Sequence, residues 1–158
     1  VESIETITKT LSNFHNIANQ PNEERAVWTK RLKLKVNPLN KEKASVVYFV
    51  GCVSSFYPLT QAIPKAFITI LDSLNLDFAI LGGEEWCCGF PLIAAGKPDE
   101  AKKQFLHSLE KIKDLQVKKL VTTCPAFRTR TRRVSTAFTV RCMGWLPQSK
   151  TLALASSE

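Results

Sequence analysis

Apolar positions recur with a helical period over the first part of the chain. Residues 2–18 repeat apolar side chains at spacings of three and four, which predicts an amphipathic helix. A second short helix is predicted from Asn22 to about Leu32, with Asn22 as its N-cap. The following stretch, 33–44, contains Pro38 and several lysines and is typical of a solvated linker. Residues 1–43 are therefore predicted to form a helical N-terminal extension and linker.

The pattern changes to short apolar runs from residue 46 onward. Residues 46–50 form a continuous β-branched and aromatic run, and shorter runs of the same kind occupy 77–81 and 120–123. Helical periodicity fills the intervals, over 59–74 and again from Pro98. Strands that alternate with helices at crossover length predict an α/β fold with a parallel sheet, right-handed connections and flanking helices.

The same periodicity predicts which side of each crossover helix faces the sheet, and we expect these positions to contribute to the core. The predicted core positions are Ile63, Phe67, Ile70, Leu71 and Leu74 in the first of these helices, and Ala101, Phe105, Leu109 and Ile112 in the second.

Composition places the chain among single soluble domains. It has 158 residues, of which 44% are hydrophobic and 23% are charged. No apolar run approaches the ~20 residues needed to span a bilayer, and residues 1–30 lack the pattern of a secretory signal. We expect a cytoplasmic protein whose contact with any membrane is peripheral and made through partner subunits. Because the chain begins with Val1, we also expect it to be a fragment of a longer protein.

The net charge of +8 is concentrated at the end of the chain. Residues 128–158 hold six of the 22 Lys and Arg residues and one of the 14 Asp and Glu residues. Arginine and threonine alternate there without apolar periodicity, so no basic face on an ordered element is predicted. We therefore predict no nucleic-acid binding, and we describe 128–158 as a basic tail.

The cysteines carry the chemical information. There are five of them, an odd number in a chain without an export signal, which argues against a disulfide framework. A disulfide between the adjacent Cys87 and Cys88 would close a strained eight-membered ring. Reduced thiols at fixed positions more often bind metal or perform redox chemistry.

Four of these cysteines follow predicted strands. Cys52 lies just after the first strand, Cys87 and Cys88 follow the loop after the second, and Cys124 comes directly after the third. The carboxyl ends of parallel strands meet at one edge of the sheet, where ligands bind in open α/β folds. We therefore expect these four thiols to converge, although more than 30 residues separate the three positions along the chain.

Neighbouring residues refine this prediction. Gly89 allows close backbone approach, and Trp86 and Phe90 are expected to shield the thiols from water. His15 and His107 lie on predicted helices and are expected to pack rather than to bind metal. A fourth strand is predicted over 137–141.

The fifth cysteine, Cys142, would follow that fourth strand. It has two interpretations, a substitute ligand or a free thiol in the tail, and we expect the latter.

Thiolates are soft ligands that select zinc, copper(I) or iron–sulfur clusters. Four of them suffice for a closed structural zinc site, although adjacent ligands are awkward for one tetrahedral ion. A third interpretation is that the thiols are small buried side chains that bind nothing, in an inactive fragment.

Three segments resemble the cysteine-rich CCG domain of heterodisulfide reductase subunits and related iron–sulfur oxidoreductases. They are Tyr-Phe-Val-Gly-Cys at 48–52, Glu-Glu-Trp-Cys-Cys-Gly-Phe-Pro at 84–91 and Thr-Thr-Cys-Pro at 122–125. The resemblance covers about residues 44–126, and the predicted division of the chain is 1–43, 44–127 and 128–158. It fades in the tail, and the chain is identified as a truncated member with one such domain.

The resemblance implies a function. Family members of this type hold a non-cubane [4Fe-4S] cluster through five cysteines and split a disulfide by one-electron steps. Here it implies that Cys52, Cys87, Cys88 and Cys124 hold the cluster and that the chain is an oxidoreductase subunit if the cluster assembles. The implied partners are other redox subunits or a ferredoxin-like module, with a disulfide or thiol as substrate. The family motif ends in Cys-x-x-Cys, whereas this chain has Phe127 at the last position.

Overall fold

The structure, a computed structural model, describes residues 3–134 and 139–142, with side chains over 3–131. The first element is helix α1, Ile4–Phe14, which begins at Ser3, whose side-chain oxygen accepts a hydrogen bond from the Thr6 N–H. A 3-10 helix, Asn22–Arg31, follows where the second helix was predicted. The prediction that Asn22 caps it is wrong, because this helix begins after Pro21 and has no side-chain cap.

A parallel sheet lies at the centre of the fold, with strand order β2-β1-β3-β4. The strands are β1 Val46–Phe49, β2 Phe78–Ala79, β3 Lys119–Thr122 and β4 Thr139–Cys142. This confirms the predicted α/β class with a parallel sheet, and the fourth strand lies where it was expected. The parts of the basic tail at 135–138 and 143–158 lie outside the described residues.

Helices connect the strands and cover both faces of the sheet. Proline begins the longest of them at Pro98, where its missing N–H costs no helical hydrogen bond. Within the described ranges, no helix is both long and apolar enough to cross a bilayer. The helices after α1 are α2 Cys52–Phe56, α3 Ala62–Ser73, α4 Phe90–Ala94, α5 Pro98–Asp114 and α6 Pro125–Val134.

Two hydrophobic clusters lie on opposite faces of the sheet, because successive strand residues point to opposite sides. Val47 and Phe49 of β1 belong to the cluster that includes α5 and the cysteines. Tyr48 of the same strand belongs to the cluster beneath α3. The N-terminal segment reaches both, since Leu11 packs in the first and Trp28 in the second.

The predicted core face of α5 agrees with the structure, whereas that of α3 is partly wrong. Phe67 and Leu71 are buried in α3 as expected, together with Pro64 and Ile68. The predicted core positions Ile63, Ile70 and Leu74 are instead 52%, 49% and 63% exposed. This helix is apolar around more than half of its circumference, so periodicity does not identify which stripe contacts the sheet.

The strand order places a topological switch point between β1 and β3. The chain runs from β1 outward to β2 and then returns past β1 to β3. At such a point the loops after the two central strands diverge and leave a crevice at the carboxyl edge of the sheet. Gly51-Cys52 follows β1 and Cys124 follows β3, so two of the predicted site loops flank this crevice.

Replacing Gly89 with alanine should destabilise the fold. Gly89 has a φ of +78°, and an added Cβ would lie 2.5 Å from the backbone oxygen of Ala101 in α5. Gly96 is the matched control, since its φ is +73° and nothing lies within 4 Å of an added Cβ. We expect Gly96→Ala to cost about 1–2 kcal/mol of unfolding free energy, and Gly89→Ala to cost about 1–3 kcal/mol more. Equal urea midpoints for the two variants would contradict the close packing of Gly89 on α5.

Candidate functional site

Three loops at the carboxyl edge of the sheet carry the four predicted cysteines. Cys52 is the first residue of α2, Cys87 and Cys88 follow a 3-10 turn after β2, and Cys124 lies between β3 and α6. The structure brings Cys52 and Cys87 together, with 3.6 Å between their Sγ atoms. Cys88 contacts both Cys87 and Cys124 through its thiol. The four thiols of the three loops therefore lie close together at this edge of the sheet.

These contacts lower the pKa values of two of the four thiols and raise those of the other two. Contact with Cys87 lowers the pKa of the Cys52 thiol, and contact with Cys124 lowers that of Cys88. The same contacts raise the pKa values of Cys87 and Cys124. The lowered pKa values favour the thiolate form at Cys52 and Cys88, which is the form that binds metal.

Gly51 lets the loops after β1 and β3 approach each other. Its φ is +86°, and a Cβ at this position would lie 3.1 Å from the Cβ of Cys124 and 3.4 Å from its Sγ. A larger residue would push the two loops apart. Gly51 is therefore needed for its conformation and for the space that it leaves beside Cys124.

Backbone N–H groups approach three of the sulfurs. The Gly89 N–H lies 3.4 Å from the Sγ of Cys87, and the Phe90 backbone N–H interacts with Cys88. The Ile17 backbone, from the segment after α1, does the same for Cys52. Such N–H groups stabilise negative charge on sulfur and tune the potential of thiolate-bound clusters.

Burial differs among the four cysteines and defines one accessible side. Cys52, Cys87 and Cys88 are buried, whereas Cys124 is half-buried. Phe90 is 53% exposed, and its role as a shield for the thiols stays a prediction. A reactant would therefore approach from the side of Cys124.

Trp86 is held by two histidines beside the cysteine pair. The imidazoles of His15 and His107 stack on opposite sides of its indole, with ring centroids 3.5 Å and 3.7 Å away. Ser108 accepts a hydrogen bond from the Trp86 backbone N–H and donates one to its carbonyl. Both histidines thus pack, as predicted, and they fix the residue that precedes Cys87.

This stack should make stability depend on pH. Burial lowers the pKa values of His15 and His107 below the ordinary 6.5. The unfolded chain then binds protons more readily than the folded one, so the stabilisation is complete above about pH 6.5 and is lost as the pH falls further. We expect the melting temperature of the native chain to fall more steeply between pH 7 and pH 5 than that of His107→Gln. Parallel curves would contradict this account.

Sequence reasoning missed a buried charge network beneath the cysteine loops. The Arg25 guanidinium lies 3.0 Å from Glu85 Oε1, and both side chains are almost fully buried. The Glu85 carboxylate also accepts hydrogen bonds from the backbone N–H groups of Val50 and Gly51, each at 2.8 Å. Burial raises the pKa of Glu85, and the Arg25 charge and these two N–H groups oppose that shift. The adjacent glutamates at 84 and 85 were visible in the sequence, but nothing there distinguishes the buried one.

The donor set fits an iron–sulfur cluster better than a single ion. Four thiols from three loops meet at one sheet edge, and backbone N–H groups face three of them. Among the residues with described side chains, no group of three or more His, Cys, Asp or Glu surrounds a position for one metal ion. A closed tetrahedral zinc site requires such a group, whereas a cluster with several irons distributes its ligands over a larger volume.

Fold and site together define an open parallel α/β domain with a cysteine-rich centre at its switch point. Residues 46–126 match the family model of the cysteine-rich domain called CCG. The chain belongs to this family.

Named relatives are similar over part of the chain. One subunit of the dihydromethanophenazine:CoB–CoM heterodisulfide reductase of Methanosarcina barkeri is 32% identical over 119 residues, which is 73% of this chain and 27% of the relative. The EtfAB:quinone oxidoreductase of Syntrophomonas wolfei is 26% identical over 103 residues, 65% of this chain and 14% of the relative. An uncharacterized iron–sulfur protein of Methanococcus maripaludis is 31% identical over 86 residues, 54% of this chain and 17% of the relative.

The chain spans about a quarter of the length of the heterodisulfide reductase subunits that it matches. No solved structure matches it.

Proposed function

We propose that this chain is an iron–sulfur electron-transfer domain of a heterodisulfide reductase-like oxidoreductase. Cys52, Cys87, Cys88 and Cys124 would hold a non-cubane [4Fe-4S] cluster, which when bound supplies one-electron chemistry toward a disulfide. The observation that carries the proposal is the convergence of four thiols from three loops at the switch point of the sheet. Relatives named as an iron–sulfur protein and as a heterodisulfide reductase subunit support it.

The chain's own residues prepare this chemistry in two ways. Three buried thiols exclude water from the inner part of the site, while the half-buried Cys124 leaves one side open to a disulfide or thiol. The backbone N–H groups of Gly89, Phe90 and Ile17 stabilise negative charge on the sulfurs. We propose that electrons arrive from other redox subunits or a ferredoxin-like module, consistent with the subunit name of the heterodisulfide reductase relative.

Anaerobic reconstitution with iron and sulfide tests the proposal. We expect a brown protein with broad visible absorption and about four iron atoms per chain. A parallel incubation with zinc under the same conditions is the control. A colourless product that takes up about one zinc ion per chain and no iron would overturn the proposal in favour of a structural zinc site.

This chain differs from the family pattern at position 127, where the fifth cysteine of the motif is absent. Phe127 stands where the resemblance implies a fifth cysteine, and its fully buried ring stacks on Phe49 with centroids 3.5 Å apart. A cysteine inserted between Ala126 and Phe127 should raise the iron content, because it completes the Cys-x-x-Cys motif after Cys124. The control is a serine inserted at the same place, which shifts α6 equally but supplies no thiolate. Equal iron contents in the two insertion variants would contradict this alignment of the last motif.

A further inference from the structure

The segment 15–25, which we call the N-terminal clamp, lies outside the part of the chain that matches the family model. It nevertheless contacts the cysteine loops directly. The backbone N–H of Cys87 donates to the carbonyl of His15 at 2.8 Å, and the Ile17 backbone N–H interacts with the Cys52 sulfur. The clamp therefore forms one wall of the site.

Arg25 connects the clamp to Glu85 through all three of its guanidinium nitrogens. Its Nη1 donates to Glu85 Oε1 at 3.0 Å, its Nε donates to Asn22 Oδ1 at 3.2 Å, and its Nη2 donates to the His15 carbonyl at 3.3 Å. The His15 carbonyl that accepts from Arg25 is the same one that accepts from Cys87. Arg25 thus links Glu85 to the backbone of a cysteine.

Asn22 strengthens the same connection from the other side of the clamp. Its side-chain amide donates to the backbone carbonyls of Gly83 and Glu85, on the turn that leads into the cysteine pair. Its Oδ1 accepts from Arg25 and from Asn16, which is fully buried.

Glu85 joins two different cysteine loops. It lies two residues before Cys87, and its carboxylate binds the N–H groups of Val50 and Gly51, directly before Cys52. Each oxygen of the Glu85 carboxylate accepts from one of these N–H groups. The carboxylate therefore holds the loop of Cys52 at a defined distance and angle to the loop of Cys87. Arg25, which lies outside the family-matched region, binds this same carboxylate.

We propose that Arg25 is a positioning residue, which through Glu85 sets the separation of the Cys52 and Cys87 sulfurs. The N-terminal clamp is then an integral part of the cysteine site. This inference deepens the proposed function and rests on it for the role of the cysteines, but the positioning itself is measurable without iron.

Cross-linking of the metal-free chain measures the positioning. In the 158-residue chain with Cys88→Ser, Cys124→Ser and Cys142→Ser, limiting diamide oxidises Cys52 and Cys87. The two thiols lose two electrons and two protons and form one disulfide, and diamide gains both to become the hydrazine. We expect rapid closure in this background because the sulfurs start 3.6 Å apart. Added Arg25→Gln or Glu85→Gln should slow it about tenfold or more, since reactions between held groups respond strongly to small displacements.

Three further variants separate positioning from general destabilisation. Glu84→Gln makes the same chemical change one residue away, where the carboxylate forms an exposed ion pair with Lys111, and it should leave the cross-linking rate unchanged. Phe78→Leu weakens the cluster on the opposite face of the sheet, and it should lower the melting temperature without slowing the reaction. Arg25→Lys keeps the charge but not the three-way contact, and it should restore part of the rate lost in Arg25→Gln.

The outcomes distinguish this inference from the proposed function. Cross-linking at the wild-type rate in both Glu85→Gln and Arg25→Lys, when both are folded, would overturn the positioning role. It would also be overturned if Phe78→Leu slowed the reaction as much as Glu85→Gln does for the same loss of melting temperature. If Arg25→Gln does not fold, as judged by near-ultraviolet circular dichroism, the Glu85→Gln and Arg25→Lys rates decide. In reconstituted full chain with all cysteines, Glu85→Gln should also alter the electron paramagnetic resonance signature, whereas Glu84→Gln should not. Wild-type protein that takes up no iron would overturn the proposed function while the cross-linking rates still decide the role of Arg25.

Discussion

Serine at any one of Cys52, Cys87, Cys88 or Cys124 should reduce the iron content of the reconstituted chain at least about tenfold. Under the proposed function each of these thiolates binds iron directly, and even residues that only support metal ligands typically change affinity by about 10–100-fold. The buried positions Cys52, Cys87 and Cys88 should show the largest loss, because serine would leave a hydroxyl group without metal among buried side chains. The measurement is iron and acid-labile sulfide per chain after anaerobic reconstitution and desalting.

Cys142→Ser is the matched control for this series. It makes the same chemical change at the end of β4, in a chain that keeps the other four thiols. We expect its iron content to equal that of the native chain. A loss at Cys142 as large as at Cys87 would show that the ligand set is wrong, and unchanged iron in all four single variants would show that iron binds elsewhere.

Arg25→Ala should lower the unfolding free energy of the metal-free, reduced chain by about 3–5 kcal/mol. Removing one partner of a buried ion pair leaves the other charge buried and uncompensated, and here Glu85 would remain fully buried. This is a large part of the about 5–15 kcal/mol that stabilises a typical domain. The measurement is urea unfolding at neutral pH, followed by circular dichroism.

Lys111→Ala provides the comparison for Arg25→Ala. It removes the partner of Glu84, the residue next to Glu85, from an ion pair of 2.8 Å whose side chains are 39% and 61% exposed. Exposed pairs contribute about 0–1 kcal/mol because solvent screens them. Similar losses in the two variants would contradict the structural role assigned to the buried pair.

The main features of the fold were predictable from the sequence because they depend on local patterns. The apolar run at 46–50 is continuous, the helix that begins at Pro98 has strong periodicity, and both have clear boundaries; the structure has β1 and α5 there. Cysteines that follow parallel strands are expected to meet at one edge of the sheet, because the carboxyl ends of those strands lie there. The structure brings those four thiols together, and their role as ligands stays a prediction.

The parts that could not be predicted depend on pairing between distant residues. Arg25 and Glu85 are 60 residues apart, and no local pattern indicates that a charged residue in a polar helix will be buried. Helix α2 has five residues and leaves too short a pattern to detect. In α3, two overlapping apolar stripes are available, and only packing against the sheet selects the one that contains Ile68.

The N-terminal segment illustrates the same limit. Leu11 follows the helical period, and its burial could be expected. Asn22 was predicted to cap a helix, and no local pattern distinguishes Asn16, yet both side chains are buried and hydrogen-bonded. The division of the chain at residue 43 stays a prediction. The contacts that residues 15–25 make with the cysteine loops are part of the site.

Differential alkylation with mass spectrometry tests the central claim most directly, because it reads every cysteine of the unmodified chain at once. After anaerobic reconstitution, the account predicts that Cys52, Cys87, Cys88 and Cys124 are protected together from a thiol reagent while Cys142 reacts. All five should react once iron is chelated in denaturant. Identical alkylation rates at the four cysteines with and without iron, under native conditions, would contradict the assignment of these thiols to one iron–sulfur site.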